Sequence, residues 1–215
     1  MTPRRKMLFA FGLALAAPVS AQRGDVPNPA DPYIHRQTGM AFPARVGSAI
    51  RHQVVRYNDD GADSGVGYQI ARVGEPDNDG MVAYLSIFVY PTQGPPAGAT
   101  ASDGAARERA CAATFEGMKH DILAREPDAT VQVEERIEAT SSATIRPSGR
   151  RIVYRGGTMP FAGKEQAVRE EARLFCIPGG KWLVSYRVTS PASVDADVDV
   201  ARVIAALRWP DTLGR

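Results

Sequence analysis

At 215 residues the chain has room for one domain or at most two small ones, at about 150 residues per domain. Hydrophobic residues make up 44% and charged residues 23%, a globular balance that excludes a disordered polymer, a collagen-like repeat and a long coiled coil. With 26 basic and 24 acidic residues and no basic block, the chain lacks the electrostatic footprint of a nucleic-acid binder.

Residues 1–21 read as a secretory signal peptide. Arg4, Arg5 and Lys6 form a basic start, residues 7–17 are almost all apolar, and Val19, Ser20 and Ala21 make a small-residue exit. The apolar run is shorter than the roughly 20 residues that cross a bilayer, so cleavage after Ala21 is expected to leave no integral membrane segment. The remainder keeps 23 of the 26 basic residues against all 24 acidic ones, a net charge of −1. The expected location is periplasmic or secreted.

Residues 22–32 contain Pro27, Pro29 and Pro32 and read as an irregular arm, ahead of a single α+β domain over 33–215. Strands are expected over 49–57, 67–73 and 81–90. The turn clusters at 58–61 and 75–80 separate them, and Pro91 ends the third. The period then changes. Cys111, Phe115, Met118 and Ile122 are spaced four, three and four apart, one face of a helix over 100–125 that Ser102 or Asp103 can cap.

Strands return over 130–138, 150–155, 165–177 and 181–189. Gly179 and Gly180 mark a hairpin between the last two. A two-residue loop pairs Cys176 with Leu183 and Phe175 with Val184, whereas a bulged turn shifts the pairing by one. Arg169, Glu171 and Arg173 share one face of their strand, leaving Val168, Ala172, Leu174 and Cys176 for the core side. A closing helix is expected over 194–209, capped by Ser193, with Val200, Val203, Ile204 and Leu207 as its apolar stripe. Together these elements predict a twisted antiparallel sheet flanked by two helices, an α/β/α sandwich.

No residue set predicts catalysis, a metal or a cofactor. Cys111 and Cys176 are expected to form one disulfide in an oxidising compartment, with two buried thiols as the alternative, and no C-x-x-C spacing marks a redox pair. His35, His52 and His120 show no ligand spacing. The acidic turns at 58–61 and 77–80 lack the remaining ligands of a calcium loop, and no G-x-S-x-G elbow is present. Glu134 and Glu135, like Glu170 and Glu171, are strand neighbours that point to opposite faces, so solvated charge is expected for them. Residues 157–164 lack the spacing and the hydroxyl of a phosphate loop. They read as a hairpin loop with Met159, Pro160 and Phe161 at its tip, either folded back onto the body or binding a partner.

The run Thr38-Gly39-Met40-Ala41-Phe42-Pro43, the stretch over 180–189 and the ending Ala206-Leu207-Arg208-Trp209-Pro210, taken in the order meander, helix, strands and helix, resemble the PsbP/DcrB-type α/β/α sandwich and exported bacterial proteins. The resemblance implies a non-catalytic accessory or binding protein of the cell envelope, acting on an unknown envelope protein or a small ligand. It carries over no cofactor or metal residue. Two alternatives stand beside it: a carrier of a lipid or apolar metabolite held between Phe115, Met118 and the sheet, and a hydrolase assembled from His52 and a distant carboxylate.

Overall fold

The computed structural model describes residues 24–72, 80–92, 104–139, 147–161, 163–177, 181–210 and 213. The expected signal peptide, the cap candidates Ser102 and Asp103, most of the second turn, and Gly179 with Gly180 lie outside the described residues.

One antiparallel sheet dominates. Its strands are β1 (Gly24–Asp25), β4 (Arg45–Val46), β5 (Ala49–Arg56), β6 (Ser64–Ala71), β7 (Met81–Pro91), β8 (Thr130–Glu138), β9 (Ser148–Phe161), β10 (Lys164–Cys176) and β11 (Trp182–Pro191). They run in the order β1-β5-β6-β7-β11-β10-β9-β8, with β4 attached to β5. The short strands β2 (Tyr33–Ile34) and β3 (Ala41–Phe42) pair separately. Two helices complete the α+β fold, α1 (Gly104–Arg125) and α2 (Asp197–Ala206).

The meander forms because β-branched and aromatic runs alternate with clusters whose side chains bond their own backbone. Asn58 Oδ1 accepts from Asp63 N and Asp60 Oδ1 accepts from Ala62 N, which closes the β5–β6 turn. The β10–β11 hairpin adopts the tight register, Cys176 opposite Leu183 and Phe175 opposite Val184.

The core is divided between the two faces of the sheet. Val200, Val203 and Ile204 of α2 pack with Tyr68, Ile70, Leu85, Ile87 and Tyr186 in the larger cluster. Phe115 and Ile122 of α1 pack with Ile152, Ala172, Leu174 and Leu183 in the smaller one. Neighbours Leu174 and Phe175, and likewise Leu183 and Val184, fall in different clusters. Because successive strand residues point to opposite sides, the clusters lie on opposite faces.

Four expectations are corrected. The N-terminal arm is not wholly irregular, because Gly24 and Asp25 pair with Arg56 and Val55 and extend the sheet edge. The strand expected over 150–155 runs on to Phe161, and its partner β10 begins at Lys164 directly opposite Phe161. Met159, Pro160 and Phe161 therefore belong to a strand, not a loop tip; Phe161 is 1% exposed against the Tyr84 ring at 5.2 Å. The closing helix starts at Asp197, not near 194, and Ser193 does not cap it. Ala196 holds the cap position, while Asp195 Oδ1 accepts from Asp197 N at 3.1 Å.

Cys111 on α1 and Cys176 at the end of β10 lie at bonding distance with Cα atoms 6.0 Å apart. They close a 65-residue separation, for which loop-closure entropy stabilises the fold by about 4 kcal/mol. Replacing both cysteines by alanine should lower the free energy of urea unfolding by about that amount. A difference below about 1 kcal/mol would mean that the tie is energetically idle.

Candidate ligand-binding face

The smaller helix cluster covers only part of its side of the sheet. The β7 alternation makes this visible: Ala83, Leu85, Ile87 and Val89 are buried under α2, whereas Tyr84, Ser86, Phe88 and Tyr90 point the other way and stay partly exposed. Tyr90 packs against the α1 cluster. Tyr84, Ser86 and Phe88 join neither cluster.

Cross-strand register builds three rows on this face. Gly65, Phe88 and Ser185 are opposite one another, then Gly67, Ser86 and Arg187, then Gln69, Tyr84 and Thr189. The glycines are required by close approach. A Cβ at Gly67 would lie 2.6 Å from His52 Nε2, and one at Gly65 would lie 3.0 Å from Tyr57 Oη and 3.2 Å from the Phe88 ring. The rings therefore lie down on β6. Tyr57 and Phe88 have centroids 6.2 Å apart with planes 32° apart, and His52 meets Tyr84 edge-on at 6.2 Å. Tyr57 remains 45% exposed.

Arg187 sits in the middle row, flanked by the small residues Ser86 and Ala172. Its guanidinium lies over the Phe88 ring, 5.6 Å from the centroid. Among the described residues it has no carboxylate within ion-pair distance and no hydrogen-bond partner. Two carboxylates lie near this face: Glu170 in the next row is engaged elsewhere, accepting from Tyr154 Oη and from Thr189 Oγ1 at 3.5 Å, and Asp63, whose pKa burial raises, acts on Tyr57 and Tyr90 together with the Arg187 charge. Burial raises the phenol pKa values of Tyr57, Tyr90 and Tyr154, that of Tyr90 to about 12, and the Arg187 charge opposes the rise in all three. The three tyrosines are thus protonated at neutral pH and surround one permanent cation.

The opposite face carries the contrasting arrangement. Glu171, 3% exposed, accepts from Arg151 Nη2 at 2.6 Å and from Arg173 Nε, with Arg169 Nη2 at 3.8 Å. Arg169 continues to Asp197 of α2 at 2.9 Å, and Arg151 to Glu135 at 2.8 Å. Burial alone would raise the Glu171 pKa, but the bonds and charges of Arg151 and Arg173 outweigh it and hold the carboxyl below its ordinary value. This corrects the expectation of solvated charge at Glu171, which is buried among Arg151, Arg169 and Arg173. A cleft of about 340 Å³ beside it is lined by Glu135, Arg151, Arg173, Tyr186 and Trp209. The charges are already mutually paired, so the cluster acts as a strut between strands and α2.

The remaining residues singled out by sequence do not converge. His35 is buried, with Nδ1 2.8 Å from Thr38 Oγ1 and Nε2 3.3 Å from Ala62 O, and burial lowers its pKa. His120 is exposed beside Asp121. His52 borders both the aromatic face and a second cleft of about 560 Å³ between β5 and the N-terminal arm. No cluster of metal-ligating groups occurs among the described residues. Phe115 and Met118, the walls of the carrier alternative, pack directly onto the sheet, with Ser185 Oγ donating to Met118 Sδ at 3.8 Å. Arg187 went unnoticed in the sequence. The available signal was the Tyr84, Ser86, Phe88 alternation, which places the aromatics of β7 on the face away from its aliphatics.

No protein-family model matches this chain, and no curated protein matches it. No helix among the described residues is long and apolar enough to cross a membrane.

Buried Glu171 and His35, with the more exposed His52, set a pH dependence. His35 and His52 have pKa values lowered from 6.5 by burial, so the unfolded chain binds their protons first and stability falls as pH drops below about 6.5. Glu171 has a pKa lowered from 4.5, so its contribution is present above that value and is lost as pH falls further. Urea midpoints measured against pH should decline in these two windows. Glu171→Gln should lose about 3–5 kcal/mol at pH 7, since three arginines then surround no charge, and should flatten the lower window. An unchanged midpoint at pH 7 would remove Glu171 from the role of strut.

Proposed function

We propose that this chain is an exported, non-catalytic binding protein of the bacterial cell envelope, with an α/β/α sandwich body of the PsbP/DcrB type, and that its ligand seats on the Arg187 face. The observation that carries the reading is Arg187 itself, a partly buried guanidinium over a ring with no carboxylate in reach among the described residues. A guanidinium held over a ring with its donor fork unpaired among the described residues offers an anionic group from outside a bidentate seat. The disulfide-bonded pair Cys111 and Cys176 supports residence in an oxidising compartment.

Binding is preferred to hydrolysis because of what surrounds His52. It contacts the Tyr84 ring edge, and no carboxylate among the described residues bonds to it to orient the ring. Tyr154 lies five strands away on β9 and cannot assist His52; its pKa is raised and it donates to Glu170, which makes it a protonated donor and not a base.

Native mass spectrometry of the protein recovered from the periplasm or medium of its producing cells tests this reading. The expected species begins at Gln22, has both cysteines oxidised and carries an added mass that falls about tenfold in occupancy in Arg187→Gln, at an unchanged melting temperature. An intact precursor inside the cell would overturn it. So would no added mass, or the same added mass on both proteins.

A further inference from the structure

Beyond the ligand face, we propose that β8 is a docking edge for a second copy of this chain, the two β8 strands pairing antiparallel about a two-fold axis at Glu135 to make one continuous sheet. The sheet ends differently on its two sides. At one end β5 carries the two-residue strands β1 and β4, and edge strands that short discourage pairing with another chain. At the other end β8 is nine residues long, pairs with β9 alone among the described residues, and is exposed along almost its whole length. It holds no proline or lysine, and its bulge between Val131 and Val133 leaves residues 133–138 in unbroken register with β9.

Hydrogen bonding fixes which residues can pair. Ala139 N donates to Pro147 O at 3.0 Å, in the same register that sets Ile137 opposite Gly149. Antiparallel residues alternate between bonding the neighbouring strand and facing away from it. Glu135 and Ile137 therefore bond β9, while the backbone N–H and C=O groups of Glu134, Arg136 and Glu138 face outward. A symmetric antiparallel pair must match outward residues with one another.

Charge then selects one register. Centring the pair on Glu134 or on Arg136 sets that residue against itself, whereas centring on Glu135 sets Glu134 of each copy opposite Arg136 of the other. Centring on Val133 runs the pairing through the bulge, and centring on Ile137 carries Val133 and Glu134 past the end of the facing strand. Arg136 can turn toward the other copy, since its side chain is 79% exposed and its contact with Glu108 is 3.6 Å long. Glu134 accepts from Lys119 at 2.6 Å, and a carboxylate has room for a second donor. On the opposite side of the strand Val133, 37% exposed, meets Ile137 of the other copy, which packs against the larger core. Glu135 faces its own copy at the axis, but each carboxylate accepts from Arg151 at 2.8 Å and so brings its counter-ion.

The helices leave room for this. α1 packs around β10, two strands in from the edge. With strands about 4.8 Å apart, the β10 strands of the two copies lie roughly 24 Å apart, against a helix diameter of about 10 Å. A contact of this length belongs to the small interface class, so the dimer should dissociate in the micromolar range, at about 1–100 µM.

Sedimentation equilibrium of the oxidised mature protein from about 1 to about 200 µM should show monomer and dimer in exchange. Arg136→Glu and Glu134→Arg, each alone, set like charges opposite one another and should weaken the dimer at least about tenfold. Mixed together, the two variants should form a heterodimer of near wild-type affinity, because one copy then offers carboxylates where the other offers guanidiniums. If Glu134→Arg does not fold, hydrogen exchange carries the test: the amides of Glu134, Arg136 and Glu138 should exchange more slowly as concentration rises. A monomer at the highest concentration, a dimer indifferent to Arg136→Glu, or no heterodimer from folded variants would overturn the proposal. Protection of those amides at every concentration would overturn it too, by showing that another part of this chain covers β8.

Discussion

A β-strand points successive side chains to opposite sides, and β7, β10 and β11 use this alternation to carry two unlike surfaces on one backbone. On one side Leu85, Ile87, Tyr186 and Phe175 form the largest part of the core with α2. On the other, Tyr84, Ser86, Phe88 and Arg187 are left to a face that α1 does not reach. A register slip of one residue would exchange them, burying a guanidinium and exposing the core. The β10–β11 register, with Cys176 opposite Leu183, is therefore a condition for every feature of the face.

Charge is treated differently on the two sides of the sheet. Glu171 is buried with Arg151 and Arg173 bonded to it, and each further charge is passed on, Arg169 to Asp197 and Arg151 to Glu135. The network has little left to offer a ligand beyond Arg151 Nε, buried without a partner. Arg187 has the reverse standing: a ring beneath it, tyrosine hydroxyls around it and, among the described residues, no opposing charge in contact. Burying a charge pair is at best weakly stabilising, so the Glu171 cluster is understood as fixing the position of α2 on the sheet. Arg187 makes no comparable tie among the described residues.

Much of the fold was legible because short-range signals decide it. Turn clusters ended the strands of the meander, the stripe from Cys111 to Ile122 named the buried face of α1, and period two placed Arg169, Glu171 and Arg173 together. What local patterns could not give is what lands on a face. Nothing near Glu171 in sequence announces that Arg151, twenty residues earlier, will bond to it. The same limit hid the end of β9. Pro160 and two glycines read as a loop, but the β9–β10 pairing continues past them and Phe161 finds the Tyr84 ring. Tertiary pairing overrode the local turn signal.

The place of α1 explains why Tyr84, Ser86 and Phe88 stay partly exposed among the described residues. Its contacts are centred on β10, and the bond from Cys111 to Cys176 ties it to the end of that strand, so it cannot slide toward β6 and β7. A helix free to choose by apolar burial alone would gain by covering Phe88 and Tyr84, since burial scales with area at about 25 cal/mol per Å². The covalent tie removes that option and leaves the rings available. The core that holds the sheet lies mainly on the α2 side, so side chains on the open face can change while the fold persists. That separation lets the residues of this face vary without endangering the body that presents them.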